Sequence, residues 1–303
     1  MHDVIIIGGS YAGLSAATQL ARARKDILII DAGKRRNRFA HEAHGFIGRD
    51  GASPDAIASE ARQQVLAYPS VTWVEGNAVE AAGSADAFSV RLADGSSHQA
   101  RRLVLALGVE DVLPDIPGLS AQWGTGAVTC PYCHGYELNR GALAVIATGP
   151  MAAHHAMVVS EWGPVTFFAN GAVTLDTHER DALAARAIKI DDTPISRVEG
   201  EPGEPRVVTE DGRDLAFAGL FIGAHARLAS DVAWQLGCAP NDTPVGRLIK
   251  VDGMQATSVP GVFACGDCAT PMASIAAAVG AGAMTGAAAH RSLIFPETAA
   301  RAA

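Results

Sequence analysis

The opening stretch from Val4 to Asp31 confines this chain to a narrow set of folds. Val4-Ile5-Ile6-Ile7 is an uninterrupted apolar run, the mark of a strand buried on both faces. It breaks at Gly8-Gly9-Ser10-Tyr11-Ala12-Gly13, a helical stretch follows from about Ala12 to Arg22, and a second strand runs from Ile27 to Ile30. The first glycine permits a tight turn, the third lets helix pack on strand, and the helix N-terminus is left to receive a pyrophosphate. Ser10 stands where the pattern has its second glycine, yet still leaves the backbone close to the phosphate. Asp31 lies 18 residues past Gly13, near the spacing of about 20 for an acid that binds a ribose hydroxyl. Strand before, helix after and acid at this distance read as a dinucleotide-binding βαβ unit rather than a bare structural turn.

The same grammar recurs at Ala142 to Ile146, a turn at Gly149, a helical stretch from Met151 to Trp162 and a strand from Val165 to Phe168. Each unit is followed by a hairpin signal and a return strand. Phe88 to Leu92, Asp94-Gly95 and Leu103 to Gly108 parallel Val207 to Thr209, Asp211-Gly212 and Gly219 to Gly223. The expected class is therefore α/β, two Rossmann-like lobes each with a β-hairpin or small antiparallel sheet excursion. Pro114, Pro117 and Gly118 mark the crossing into the second lobe, and Cys238 to Pro244 the crossing out. The strand-helix segment from Val262 to Leu293 has no βαβ partner of its own. It is assigned to the first lobe, which becomes discontinuous (1–113 and 242–303) around an inserted lobe (114–241).

Composition narrows function. The 303 residues, 49% hydrophobic, suffice for two cores, and a net charge of −8 offers no general attraction to nucleic acid or anionic lipid. No apolar run reaches transmembrane length, and no Lys or Arg precedes the first apolar run as an export signal requires. Five cysteines do not resemble a secreted disulfide framework; four fall in two Cys-x-x-Cys pairs, pointing to cytoplasmic redox or metal chemistry. The Ala-rich tail from Glu297 to Ala303 is expected to fray.

Cys130-Pro131-Tyr132-Cys133-His134-Gly135-Tyr136-Glu137 is the most chemically specific run. Two cysteines at this spacing close a small, reducible disulfide that shuttles two electrons. One thiol must lose its proton to attack and a leaving thiolate must regain one, and a histidine does both near neutral pH. The bland reading of His134 is a surface residue at a helix start. A glutaredoxin module would carry such a pair after the first strand of a small domain, whereas this one is mid-chain. Cys265 and Cys268 form the other pair, in principle half of a four-cysteine zinc site. They lie far from the first pair and one is inside a Gly-Asp motif, so no metal is expected and both are read, with Cys238, as small buried residues. His154 and His155, about 100° apart on a helix, read as structural. Trp123, Trp162 and Trp234 are placed in or beside the second lobe, as core or as lining of a substrate or dimer surface.

Gly9-Ser10-Tyr11-Ala12-Gly13 at the start, Cys130 to Cys133 mid-chain and Gly261-Val262-Phe263-Ala264-Cys265-Gly266-Asp267 near the end resemble the flavin disulfide oxidoreductases of the thioredoxin reductase type over essentially the whole chain. The resemblance implies FAD in the first lobe, held by Gly8, Gly9, Ser10, Tyr11, Ala12, Gly13, Asp31 and Gly108. It implies Gly266 and Asp267 at the ribityl or pyrophosphate region, and Ser274 with Ile275 as a helix N-terminus near the flavin's pyrimidine edge. The segment from Arg36 through Arg38 to His44 and Phe46 would approach the isoalloxazine, with Arg38 and His44 among its contacts, the alternative being a solvated loop. Cys133 would face the flavin, Cys130 would exchange with substrate, and His134 stands where those enzymes carry an aspartate. A homodimer is implied in the same way.

One departure from that family is informative. Its nicotinamide lobe repeats G-x-G-x-x-A and follows the next strand with arginines for a 2′-phosphate. Here the matching run is Ala147-Thr148-Gly149-Pro150-Met151-Ala152, and no Lys or Arg occurs between Arg140 and Arg180. A dithiol flavoenzyme without a nicotinamide site needs another electron partner, and oxygen is the plausible one. The Cys130 to Glu137 run and Gly8-Gly9-Ser10-Tyr11-Ala12-Gly13-Leu14 look like the subgroup that includes the gliotoxin and holomycin dithiol oxidases. The expected activity is oxidation of a small-molecule dithiol, with electrons passing through FAD to O2 to give hydrogen peroxide. An NAD(P)H-dependent reductase of thioredoxin-like disulfides, and a redox-responsive scaffold without turnover, are the alternatives.

Overall fold

The computed structural model describes residues 1–295, and the tail from Glu297 read as frayed lies outside them. The chain forms two compact units: Met1–Arg38, Phe46–Glu110 and the chain from Ala226 onward make the first, Phe39–Gly45 and Asp111–His225 the second. In chain order the first unit supplies β1 (His2–Ile7), α1 (Tyr11–Arg22), β2 (Ile27–Asp31), α2 (Pro54–Leu66) and β3 (Val71–Glu75). The hairpin strands β4 (Ala78–Ala82), β5 (Phe88–Leu92) and β6 (Ser97–Leu105) follow, and the chain leaves through β7 (Val109–Val112).

The second unit contains α3 (Leu119–Gln122), β8 (Ala127–Val128), α4 (Pro131–His134), β9 (Leu143–Ile146), α5 (Ala152–Val159) and β10 (Val165–Phe168). Then come α6 (Thr177–Ala185), β11 (Lys189–Asp191), β12 (Ile195–Glu199), β13 (Arg206–Thr209), β14 (Asp214–Ala216) and β15 (Gly219–Ile222). The return to the first unit brings β16 (His225–Leu228), α7 (Val232–Gln235), β17 (Pro240–Thr243), β18 (Gly246–Ile249), β19 (Val262–Ala264) and α8 (Ile275–Ile294).

The first unit's sheet runs β3-β2-β1-β6-β5-β4, with β19 also on β6. β6 divides its work. Its opening residues Ser97–Ala100 pair antiparallel with β5, while Leu103–Leu105 pair parallel with both β1 and β19. This is how a hairpin excursion rejoins a parallel sheet, and Gly95, at φ +89°, makes its turn. The second unit repeats the plan with a parallel sheet β11-β10-β9-β15-β8, the antiparallel β12-β13-β14 and Gly212 at φ +86°. Successive residues of β9 and β15 face opposite ways, so Val145 and Phe221 pack with α5, and Ile146 and Leu220 with the antiparallel sheet.

Three boundaries differ from the sequence reading. The return crossing falls at Ala226, ahead of Cys238, because β16 and β18 bury Ala226, Leu228, Leu248 and Ile249 in the first unit's core. Trp234, on α7, belongs with them and not with the second lobe. Phe39–Gly45 groups with the second unit; a Cβ built on Gly124 would fall 2.5 Å from Phe39 Cβ, so that ring packs where Gly124 has no side chain. The helix expected to reach Trp162 stops at Val159, since Glu161 and Trp162 donate three residues back in a tightened last turn.

α8 packs against α1 through glycines: a Cβ on Gly282 would meet Ala12 O at 2.2 Å, and one on Gly286 would meet Ala16 O at 2.5 Å. Its C-terminal end is held by Arg102 of β6, only 1% exposed. The guanidinium donates to Ser292 Oγ (3.0 Å), Ser292 O (2.9 Å) and Asp86 Oδ1 (3.0 Å). Arg102→Met would leave the buried Ser292 oxygens without this donor, costing about 2–4 kcal/mol. In thermal unfolding it is expected to lower Tm by about 5 °C or more, at roughly 2–4 °C per kcal/mol. An unchanged Tm would mean the clamp contributes nothing.

Candidate active site

The redox pair is presented on a single helical turn. Pro131, first residue of α4, has the backbone angle a helix needs and no N–H to leave unpaired, and Cys130 caps it from an extended conformation. The turn brings Cys130 and Cys133 to a Cα separation of 5.3 Å, and they are joined as a disulfide. Behind it stands Trp162, whose ring meets Tyr132 edge-on with centroids 5.1 Å apart. A Cβ on Gly135 would fall 2.6 Å from the same indole, so glycine is required there. Tyr132 and Tyr136 leave their rings 76% and 86% exposed.

His134 ends the turn. Burial pushes its pKa below the ordinary imidazole value, the neighbouring His44 adds to that, and the carboxylate of Glu137 opposes it. The neutral imidazole, a proton acceptor, is thereby favoured near pH 7. His44 Nε2 lies 3.4 Å from Glu137 Oε1 and 3.6 Å from Glu42 Oε2. His41, Glu42, His44, Thr125, His134 and Glu137 are among the residues lining a cleft of about 280 Å³. His44, expected at the flavin, thus lies in the same unit as the cysteines and beside Glu137. The role of Glu137 is not legible in the sequence, since nothing in its spacing announces a partner 93 positions earlier.

The glycine turn after β1 is a cradle with no space for side chains. Gly8 sits at φ +109°, and a Cβ there would fall 2.1 Å from Ala106 O; one on Gly13 would fall 1.9 Å from Gly8 O. Gly9 donates its N–H to Asp31 Oδ1 at 3.0 Å, and a Cβ on it would strike the Trp73 ring at 2.2 Å. α1 starts at Tyr11, with Ser10 as N-cap; the Ser10 side chain makes no capping hydrogen bond among the described residues, so the first-turn N–H groups remain available to an anion. Tyr11 contributes only backbone to this turn. Its buried hydroxyl donates to Pro54 O at 3.1 Å and accepts from Asn37 Nδ2 at 3.2 Å.

The other expected cofactor residues also fall in the first unit, except His44. Gly108 and Gly266 take φ +67° and +77°, Ser274 Oγ accepts from Ala277 N at 3.0 Å, and α8 begins at Ile275. Arg38 donates to Arg35 O at 2.8 Å, while Arg36, 231 residues away in sequence, donates to Asp267 Oδ2 at 3.0 Å. The Trp73 indole N–H is buried with no hydrogen-bond partner among the described residues. A side-chain-free turn, open helix N–H groups, an acid at the end of β2 and an orphaned donor beside them fit a dinucleotide.

The corresponding place in the second unit differs. Gly149, Pro150 and Ala153 with Val173, Leu175 and Glu179 line a cleft of about 280 Å³, and no Lys or Arg lines it among the described residues. Glu179 closes a capping box with Asp176, and Thr148 Oγ1 donates to Gly223 O at 2.6 Å. After β10, Asn170 Oδ1 accepts from Ile195 N at 2.8 Å, where the family has an arginine.

His155, read as structural, has Nε2 3.0 Å from Thr129 O. Cys238, Cys265 and Cys268 are free and buried. Burial holds the Cys265 and Cys268 thiols up at about 12, so they stay protonated and unreactive.

Residues 2–282 match the family model described as pyridine nucleotide-disulphide oxidoreductase. Thioredoxin reductase tcpT of Claviceps purpurea is 34% identical, over 94% of this chain and 92% of that protein. Thioredoxin reductase sirT of Leptosphaeria maculans is 31% identical over 99% and 97%. Among solved structures, an oxidoreductase from Agrobacterium tumefaciens is 52% identical with a TM-score of 0.94, covering 97% of this chain and 99% of its own. HlmI is 34% identical with a TM-score of 0.89, covering 99% and 94%. With its two Rossmann-like lobes, glycine cradle and Cys-x-x-Cys disulfide, the chain belongs to the pyridine nucleotide-disulphide oxidoreductases, as a thioredoxin reductase-like flavin disulfide oxidoreductase whose cofactor is FAD.

Proposed function

We propose that the protein is a dithiol oxidase, converting a small-molecule dithiol to its disulfide while O2 becomes hydrogen peroxide: R(SH)2 + O2 → RS2 + H2O2. The observation that carries this reading is the second-unit cleft, lined by Glu179 and by no cation among the described residues, in a chain that keeps its redox disulfide. NADPH brings a 2′-phosphate and a pyrophosphate, and both need positive charge or free backbone donors. The Agrobacterium oxidoreductase and HlmI share this scaffold over 97% and 99% of the chain.

In this reading His134 takes the proton from the first substrate thiol. The thiolate attacks Cys130, the Cys130–Cys133 bond breaks, and the second substrate thiol resolves the mixed disulfide, leaving both cysteines reduced. FAD, when bound, would supply the two-electron acceptor for the reduced cysteines and the outlet to oxygen. We assign its binding to first-unit residues Gly8 through Gly13, Asp31, Arg38, Gly108, Gly266, Asp267, Ser274 and Ile275. The cysteine usage supports a cytoplasmic location, and the resemblance supports a homodimer.

An anaerobic stopped-flow titration tests the function. Bleaching of flavin absorbance by a small dithiol but not by NADPH, with colour restored on admitting air, is the expected result. Rapid bleaching by NADPH would replace it with the NAD(P)H-dependent reductase reading. The cradle has its own test: Gly9→Ala is expected to purify with less than about a tenth of its FAD, because the methyl group displaces Trp73 and Asp31. Gly280→Ala, on α8 with nothing within 4 Å of the added carbon, should keep its full complement. Equal flavin content in the two variants would remove Gly9 from the site.

A further inference from the structure

The only permanently charged side chains lining the cleft that contains His134, among the described residues, are carboxylates. Glu42 and Glu137 line it with side chains 61% and 41% exposed, His44 stands between them, and His41 and His134 are its other ionisable groups. No Lys or Arg lines it among the described residues. Two carboxylates, and no guanidinium or ammonium group among the described residues, therefore line the cleft. Its volume of about 280 Å³ is close to the lower end of small-ligand sites, roughly 300–1,000 Å³. A molecule inside it therefore lies within about one Debye length, ~10 Å at 0.1 M salt, of both carboxylates. The chain's net charge of −8 repels anions at longer range.

We infer that the substrates are small dithiols bearing no carboxylate, phosphate or other anionic group, with cationic dithiols accepted at least as well as neutral ones. This rests on the dithiol oxidase reading and specifies its substrate class. The attacking species is itself a thiolate, so a second negative charge on the same molecule meets repulsion from Glu42 and Glu137 both on entry and as the thiol ionises.

A charge series with one dithiol tests it. Dihydrolipoate, dihydrolipoamide and the N-(2-aminoethyl) derivative of dihydrolipoamide close to the same five-membered disulfide and differ only in carrying negative, zero or positive charge. kcat/KM for oxygen uptake and the anaerobic rate of Cys130–Cys133 reduction would be measured at pH 8 on the FAD-loaded full chain, at low and high salt. The amide is expected to exceed the acid about tenfold at low salt, the gap narrowing to about threefold at 300 mM as screening grows. Glu42→Gln and Glu137→Gln are each expected to narrow the amide-to-acid ratio about threefold. The ratio cancels any loss of activity common to both substrates. A ratio near one in the unmodified protein, or a ratio unmoved by both substitutions, overturns the inference. If the charge order appears in anaerobic reduction but no dithiol supports oxygen uptake, the oxidase reading falls and the inference stands. Reduction by none of the three overturns both.

Discussion

Cys130→Ser and Cys133→Ser are each expected to lower dithiol-dependent oxygen uptake by about 10³-fold or more, because neither single thiol can close the disulfide that carries two electrons. The loss should be specific. Both side chains sit on a one-turn helix at the surface of their unit rather than in a core, so FAD content and Tm should stay near those of the unmodified protein. The measurement is oxygen consumption with a small dithiol, alongside flavin absorbance and a melting curve. Full uptake in either variant would exclude the Cys130–Cys133 disulfide from the reaction.

His134→Ala is expected to cost about 10²-fold in the half-reaction between dithiol and enzyme, the usual contribution of a positioned acid/base group. The pH profile gives the sharper signature. Burial lowers the His134 pKa, so the unmodified enzyme should keep its rate as pH falls through the ordinary imidazole range and lose it only below that range. The alanine variant should lack this acid limb. Glu137 works in the other direction: its carboxylate favours the protonated imidazole, and Glu137→Gln should move the limb to still lower pH. A limb that stays in place in both variants would mean that His134 does not transfer the proton.

The geometry also separates two roles that adjacent residues play. Tyr132 leans on Trp162 and Gly135 makes room for that indole, so these residues hold the turn, whereas Cys130, Cys133 and His134 carry its chemistry. Cys265 and Cys268 have the same spacing as the redox pair but are fully buried, and burial holds both thiols in the protonated form. Spacing alone does not make a redox centre; exposure and a neighbouring base do.

Much of this protein is legible in one dimension because its signals are local. Strands buried on both faces write continuous apolar runs such as Val4–Ile7, Asp-Gly pairs mark hairpin turns, and a tight βα turn needs glycine wherever a Cβ would strike backbone. The individual strands and helices, the hairpin turns, the Gly13–Gly8 approach in the cradle and the cysteine turn follow from contacts within a few residues. What only the tertiary structure decided are the pairings across long separations. Arg36 with Asp267, Arg102 with Ser292, Trp73 against Gly9, and Glu137 beside His44 leave no trace in spacing. The grouping of Phe39–Gly45 with the second unit and the return at Ala226 are of the same kind. Backbone conformation is chosen by near neighbours, whereas a side chain's partner is chosen by whichever distant segment packing brings alongside it.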